Sequence, residues 1–96
     1  MEKIIEAACK KYNVPYVLAL AVAKCESGLK TNARLVNTTG SRDRGLYQIN
    51  DHYHPEVTDA QADDPVFAAE WFCKAYLDGH LSWWSASEKC WSYAKK

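Results

Sequence analysis

Two carboxylates, Glu26 and Asp43, are the residues of this chain whose types and positions most suggest chemistry. Glu26 ends a run of apolar residues, and Asp43 follows in a polar segment before a short alternation of apolar and polar residues. Two carboxylates held apart across a cleft are what cleavage of a glycosidic bond requires. That cleavage is therefore the first chemistry to consider.

Glu26 has the surroundings expected of a general acid, which needs a raised pKa to act near neutral pH. The apolar residues before it predict burial, and burial favours the protonated carboxyl. The negative end of the helix dipole also disfavours a second negative charge there. An ordinary surface glutamate at a helix end is the alternative, because position alone does not separate the two.

Asp43 lies between Arg42 and Arg44 in a predicted turn. The two cations are expected to keep this carboxylate ionised if their side chains approach it. One carboxyl with a raised pKa and one that stays ionised is the division of labour that glycosidases use. The alternative is a turn aspartate that only pairs with its neighbours.

The segment Gly45–Asn50 alternates in polarity. If it is extended, Leu46, Gln48 and Asn50 share one face of a strand and the two intervening residues share the other. Gln48 and Asn50 are then placed to hydrogen-bond the N-acetyl and hydroxyl groups of a sugar.

The elements that must position these residues are mostly helical. Apolar periodicity, capping residues and breakers predict four helices, over about 3–11 and 15–26, from Asp64-Pro65 to Gly79, and after the capping box Ser85-x-x-Glu88. A small β-hairpin is predicted around 34–50. The predicted fold class is α+β, mainly α, with the hairpin beside a buried central helix.

Length and composition restrict the possible classes. The 96 residues, 48% of them hydrophobic, predict one domain over residues 1–96 and exclude a disordered chain. Lys+Arg and Asp+Glu balance at 12 each, which argues against a nucleic-acid binder. The longest apolar run, Val17–Ala23, is too short to span a bilayer, and no signal peptide is visible.

The four cysteines favour a disulfide framework, with three possible pairings. Four buried thiols are the alternative. Cys73 and Cys90 flank a turn near residue 81, so a helical hairpin offers one pairing that the residues themselves suggest.

Glu26-Ser27-Gly28 and Gly45-Leu46-Tyr47-Gln48-Ile49 together resemble the lysozyme-like superfamily, in particular its soluble lytic transglycosylase domain. The run from Ser41 to Asn50, with Asp43 at the same interval from Glu26, resembles C-type lysozymes. Cys25 directly before Glu26, with Trp84 and Cys90, is similar to resuscitation-promoting factors. The resemblance covers most of residues 4–84.

This resemblance implies a lysozyme-like fold and a set of roles. Glu26 is expected to protonate the leaving glycosidic oxygen, and Asp43 to stabilise the oxocarbenium-like transition state, form a covalent intermediate or orient water. The implied glycan contacts are Ser41, Tyr47, Gln48, Asn50, Trp84 and Tyr93. The implied disulfides are Cys25–Cys90 and, by what it leaves over, Cys9–Cys73.

The predicted function is cleavage of the β-1,4 bond between N-acetylmuramic acid and N-acetylglucosamine of peptidoglycan, without metal or cofactor. We expect a monomer that acts on glycan strands outside the cytoplasm, with no nucleic-acid partner and no membrane insertion. Lytic transglycosylases generally lack the second carboxylate, so Asp43 favours hydrolysis over formation of an anhydro-sugar. The other hypotheses are a catalytically silent glycan-binding module and a domain that meets a protein partner through Trp83 and Trp84.

Overall fold

The central element is helix α2, Tyr16–Ser27, in a computed structural model that describes residues 1–95. Its middle is buried because apolar residues occupy most sides of the helix: Leu18, Ala19, Ala21, Val22 and Ala23. The helix ends at Gly28, which takes the left-handed conformation that glycine adopts without steric cost. Glu26 therefore lies in the last turn of a buried helix, as predicted.

Two other helices flank α2. Helix α1, Glu2–Tyr12, buries one face through Ile5, Ala8 and Cys9 and packs against α4, Pro65–Leu77. The start of α4 is the predicted one, since the Asp64 side chain accepts hydrogen bonds from the first-turn backbone and Pro65 follows it. A short helix that was not predicted, α3 over Asp59–Asp63, precedes α4 and begins with a capping box.

The predicted hairpin is a three-stranded antiparallel sheet. Its strands, in spatial order, are β1, Arg34–Val36, β2, Arg42–Arg44, and β3, Ile49–Asn50. Asp43 pairs with Leu35 on one side and with Asn50 on the other, so it occupies the middle of the central strand.

The prediction of an extended run over Gly45–Asn50 is wrong for its first four residues, which form a turn between β2 and β3. Gly45 has φ +77° and Gln48 has φ +53°, and the Gln48 N–H donates to the Gly45 carbonyl at 3.2 Å. The turn buries both Leu46 and Tyr47, so the expected alternation of faces does not occur.

The C-terminal part crosses back over α2 in short helices. A 3-10 helix over Leu81–Ser87 leads into α5, Glu88–Trp91, and a second 3-10 helix over Ser92–Lys95 follows. The predicted capping box at Ser85 is wrong, because α5 begins after Ser87 and its N-cap makes no side-chain capping bond.

The architecture confirms the predicted class: the chain is mainly helical with one small antiparallel sheet. An aromatic group joins the two parts, with Tyr47 stacked on Phe72 at 4.6 Å and Phe72 packed against Trp84 at 4.8 Å between ring centroids. Within residues 1–95, no helix is long and apolar enough to cross a membrane.

Candidate active site

A groove of about 730 Å³ lies between the end of α2, the sheet and the C-terminal segment, and both Glu26 and Asp43 line it. Its other lining residues are Asn37, Thr39, Ser41, Tyr47, Gln48, Ile49, Asn50, Tyr53, His54, Trp71, Trp83, Trp84 and Ala86. The two candidate carboxylates, far apart in sequence, thus face one cavity of the size that holds sugar units.

Glu26 is half-buried at the groove. Burial raises the pKa of its carboxyl; a hydrogen bond donated by Ser87 opposes this rise, and the negative charge of Asp43 adds to it. The net direction is upward, which is the direction a general acid requires. The charge of Asp43 therefore acts on the Glu26 carboxyl across the groove.

Asp43 is held by two amides rather than by its arginine neighbours. Asn50 donates to Oδ1 at 2.9 Å and Asn37 donates to Oδ2 at 3.4 Å. Because successive side chains of a strand point to opposite faces, Arg42 and Arg44 lie on the face of β2 that is turned away from Asp43. The condition that the two arginine side chains approach Asp43 is therefore not met, and the alternative of an aspartate paired with them is not found either.

The two arginines serve the fold instead. Arg42 binds Asp51 and Asp59, each at 2.9 Å. Arg44 is buried, and its guanidinium donates to the carbonyl of Val57 at 2.7 Å and to the Asp59 carboxylate at 3.0 Å. These bonds fix β2 against the segment that leads into α3, and so fix the position of Asp43.

Three predicted polar contacts line the groove, but much of their hydrogen-bonding capacity is used within the protein. The side-chain amide of Asn50 donates to Asp43 and to Ser41 Oγ, and its side-chain oxygen Oδ1 accepts from two backbone N–H groups. Gln48 Nε2 donates to the carbonyls of Gly45 and Ala33. Asn50 is therefore placed to orient Asp43, while Ser41 and Gln48 keep polar atoms toward the groove wall.

Tyr47 and Trp84 are buried residues at the bottom of the groove. The Tyr47 side chain is fully buried and its hydroxyl donates to the Ala19 carbonyl at 2.7 Å. Trp84 is buried, and its indole N–H donates to the Tyr47 carbonyl at 2.8 Å. The Tyr47 ring is therefore packed into the core beneath the groove, and its glycan contact stays a prediction. Trp84 is likewise mainly a core residue.

Tyr93 does not belong to the groove: it lies 67% exposed on the second 3-10 helix and is absent from the lining. Its glycan contact stays a prediction that the lining of this groove does not support. Sequence reasoning instead missed Tyr53 and Trp71, and considered Trp83 as a contact for a protein partner. The rings of all three line the groove. Trp71 and Trp83 stack with centroids 5.6 Å apart, and the signal that was available is the aromatic surplus of the chain.

The cysteines follow the prediction in part. Cys25 and Cys90 form a disulfide, which joins the end of α2 to α5. Cys9 and Cys73 are free thiols, both buried between α1 and α4, so the predicted second disulfide is not formed. In residues 1–95 no group of three or more His, Cys, Asp or Glu side chains is arranged to hold a metal ion.

Comparison with known proteins agrees with this geometry. The family model described as "Lysozyme like domain" matches residues 5–85. The chain belongs to the lysozyme-like domain family. The match includes Glu26, Asp43 and the whole sheet, and it supports a general role in cleaving the glycan of peptidoglycan.

Curated relatives of this lysozyme-like domain include Protein IpgF of Shigella flexneri and Protein IpgF of Shigella sonnei. Each is 44% identical over 48 residues, which is 50% of this chain and 32% of the relative. The lysozyme-like chain thus spans about a third of the length of these proteins. No solved structure shows significant similarity to it.

Proposed function

We propose that this chain is a muramidase that hydrolyses the β-1,4 bond between N-acetylmuramic acid and N-acetylglucosamine in peptidoglycan. The observation that carries the proposal is a half-buried Glu26 with a raised pKa in the same groove as Asp43. Family membership supports the substrate class, and the substrate implies action outside the cytoplasm.

In the proposed mechanism Glu26 enters protonated and gives its proton to the oxygen of the leaving sugar. The glycosidic C–O bond breaks, its electron pair goes to that oxygen, and positive charge develops on the remaining ring. The Asp43 carboxylate, oriented by Asn50 and Asn37, stabilises that charge. A water oxygen then bonds to the anomeric carbon, its proton passes to the Glu26 carboxylate, and a reducing muramic acid is left.

The aromatic wall of the groove supports glycan binding. Trp83, which is 46% exposed, and Tyr53, which is 76% exposed, present ring surfaces beside the two carboxylates. Aromatic rings of this kind provide large apolar contact area with a polar edge, which suits the flat faces of pyranose rings.

Mass spectrometry of purified peptidoglycan after digestion tests the proposal. Fragments with reducing muramic acid ends are the expected result. Fragments with 1,6-anhydro ends would instead identify a lytic transglycosylase, the outcome that the Glu26-Ser27-Gly28 resemblance would favour. Binding to peptidoglycan with no soluble fragments would identify a silent glycan-binding module and refute both enzymatic assignments.

Two matched pairs of variants separate the roles of the carboxylates. Glu26→Gln and Asp43→Asn each remove one carboxylate with little change of shape, and both are expected to reduce fragment release. Glu6→Gln on α1 and Asp78→Asn after α4 make the same chemical changes at exposed positions and are expected to leave release unchanged.

A further inference from the structure

Glu26 is held by a residue that its own sequence neighbourhood does not reveal. Ser87 lies 61 positions further along the chain, and its hydroxyl donates a hydrogen bond to Glu26 Oε2. Ser87 is partly buried at the end of the 3-10 helix Leu81–Ser87. Within residues 1–95, the other carboxyl oxygen, Oε1, makes no side-chain hydrogen bond.

Trp91 sets the direction of the Ser87 hydroxyl. Its indole N–H donates to Ser87 Oγ at 3.0 Å and to the Trp84 carbonyl at 3.2 Å. An indole N–H can only donate, so Ser87 must accept from Trp91 and send its own proton elsewhere. Trp91 is 2% exposed and cannot easily move, which fixes the serine oxygen beside Glu26.

The Ser87 side chain does not cap the helix that follows it. It occupies the N-cap position of α5, where a serine side chain normally accepts from the helix backbone, yet it makes no capping bond there. Local rules of this kind are most often broken at functional sites. The neighbouring Cys25–Cys90 disulfide ties α5 to the end of α2 and keeps Ser87 and Glu26 together.

We propose that Ser87, oriented by Trp91, is a positioning residue that holds Glu26 Oε2 and leaves Oε1 as the oxygen that carries the catalytic proton. This inference rests on the proposed function of Glu26 as the general acid. Because Oε2 already accepts a hydrogen bond, the acid proton resides on Oε1, which is free to face the glycosidic oxygen. The Ser87 hydroxyl has an alternative acceptor to Glu26, namely the backbone carbonyl of Trp84, which lies 3.2 Å from Ser87 Oγ.

The same bond favours the proton-transfer step. As the Oε1–H bond breaks and the proton joins the leaving sugar oxygen, Glu26 becomes a carboxylate. A hydrogen bond to an ionised acceptor is stronger than one to a neutral acid. Ser87 therefore stabilises the transition state more than the ground state, which is the condition for raising the rate.

Ser87→Ala, Ser87→Thr and the matched control Ser85→Ala test the proposal through the pH profile of peptidoglycan cleavage. Asp43 is the charged group that faces Glu26, and all three variants retain it. Ser87→Ala is expected to lower kcat about tenfold and to move the alkaline limb upward by about one pH unit, because the bond that lowers the pKa of Glu26 is lost. Ser87→Thr is expected to restore both, and the exposed Ser85→Ala to change neither.

Carbon NMR titration of the Glu26 carboxyl in the same variants provides a readout without turnover. The expected result is a higher pKa of Glu26 in Ser87→Ala than in the wild type and in Ser87→Thr. Should Ser87→Ala fail to fold, Trp91→Phe is the second variant. It is expected to move the alkaline limb of the pH profile of cleavage upward by a smaller amount.

The outcomes separate this inference from the proposed function. A wild-type protein that releases no fragments refutes the function and the role of Ser87 with it. A wild-type protein that cleaves peptidoglycan, together with a Ser87→Ala variant whose limb and Glu26 titration are unmoved, refutes the positioning role alone.

Discussion

Loss of the Cys25–Cys90 disulfide is expected to cost this domain much of its stability. The bridge joins residues 65 positions apart. In the chain-entropy account, closing a loop of that length lowers the conformational entropy of the unfolded chain. At room temperature this stabilises the folded state by about 4 kcal/mol. In a domain of this size, each kcal/mol changes the melting temperature by about 4–8 °C, so a fall of about 15–30 °C is expected.

The experiment compares thermal unfolding, followed by far-UV circular dichroism, of the wild type and the double variant Cys25→Ser/Cys90→Ser. Cys9→Ala/Cys73→Ala is the matched control, because it removes two thiols that are not bridged. The control is expected to lose only the packing of the two buried sulfur atoms. Its melting temperature should still fall when reductant is added, as that of the wild type does.

Reductant should lower the melting temperature of the wild type to that of Cys25→Ser/Cys90→Ser and leave the variant unchanged. A variant that melts within about 5 °C of the wild type would contradict the entropy-based magnitude. Labelling of the unfolded wild type without reductant should find two thiols; four would show that the Cys25–Cys90 bridge is absent.

Four further results are expected. Gly45→Ala should unfold most of the protein in a solubility and dichroism assay, because a Cβ would lie 1.9 Å from a backbone oxygen; a well-folded variant would contradict this close approach. Tyr47→Phe should destabilise by about 1 kcal/mol in urea unfolding but keep its activity, since only a buried hydrogen bond is lost. Trp83→Ala should raise KM for soluble glycan fragments, whereas Tyr93→Ala should not, and equal effects would refute the assignment of the groove wall. Because burial raises the pKa of Glu26 in the folded state, cleavage should fall as pH rises through that pKa, and Glu26→Gln should gain stability over the wild type in the same window, with no difference at low pH.

The parts of the fold that local signals determine could be predicted from the sequence. Asp64 and Pro65 define the start of α4 because capping depends on residues within one turn. Gly28 marks the end of α2 for the same reason. The second of these boundaries places Glu26 at the end of a buried helix.

The errors share a physical cause, which is contact between residues distant in sequence. Gly45 was expected in a strand, but it has φ +77° in a turn and lies so close to the backbone of Ala62 that a Cβ would not fit. Arg42 and Arg44 were expected to keep Asp43 ionised if they approached it, whereas both bind Asp59, which lies further along the chain. The bond between Ser87 and Glu26 leaves no pattern in the local sequence.

Cleavage of a defined peptidoglycan oligosaccharide by the wild type and by Glu26→Gln tests the central claim most directly. The wild type should release reducing fragments. Glu26→Gln should stay folded and still bind the oligosaccharide but release none. Cleavage by Glu26→Gln at the wild-type rate would contradict the assignment of Glu26 as the acid.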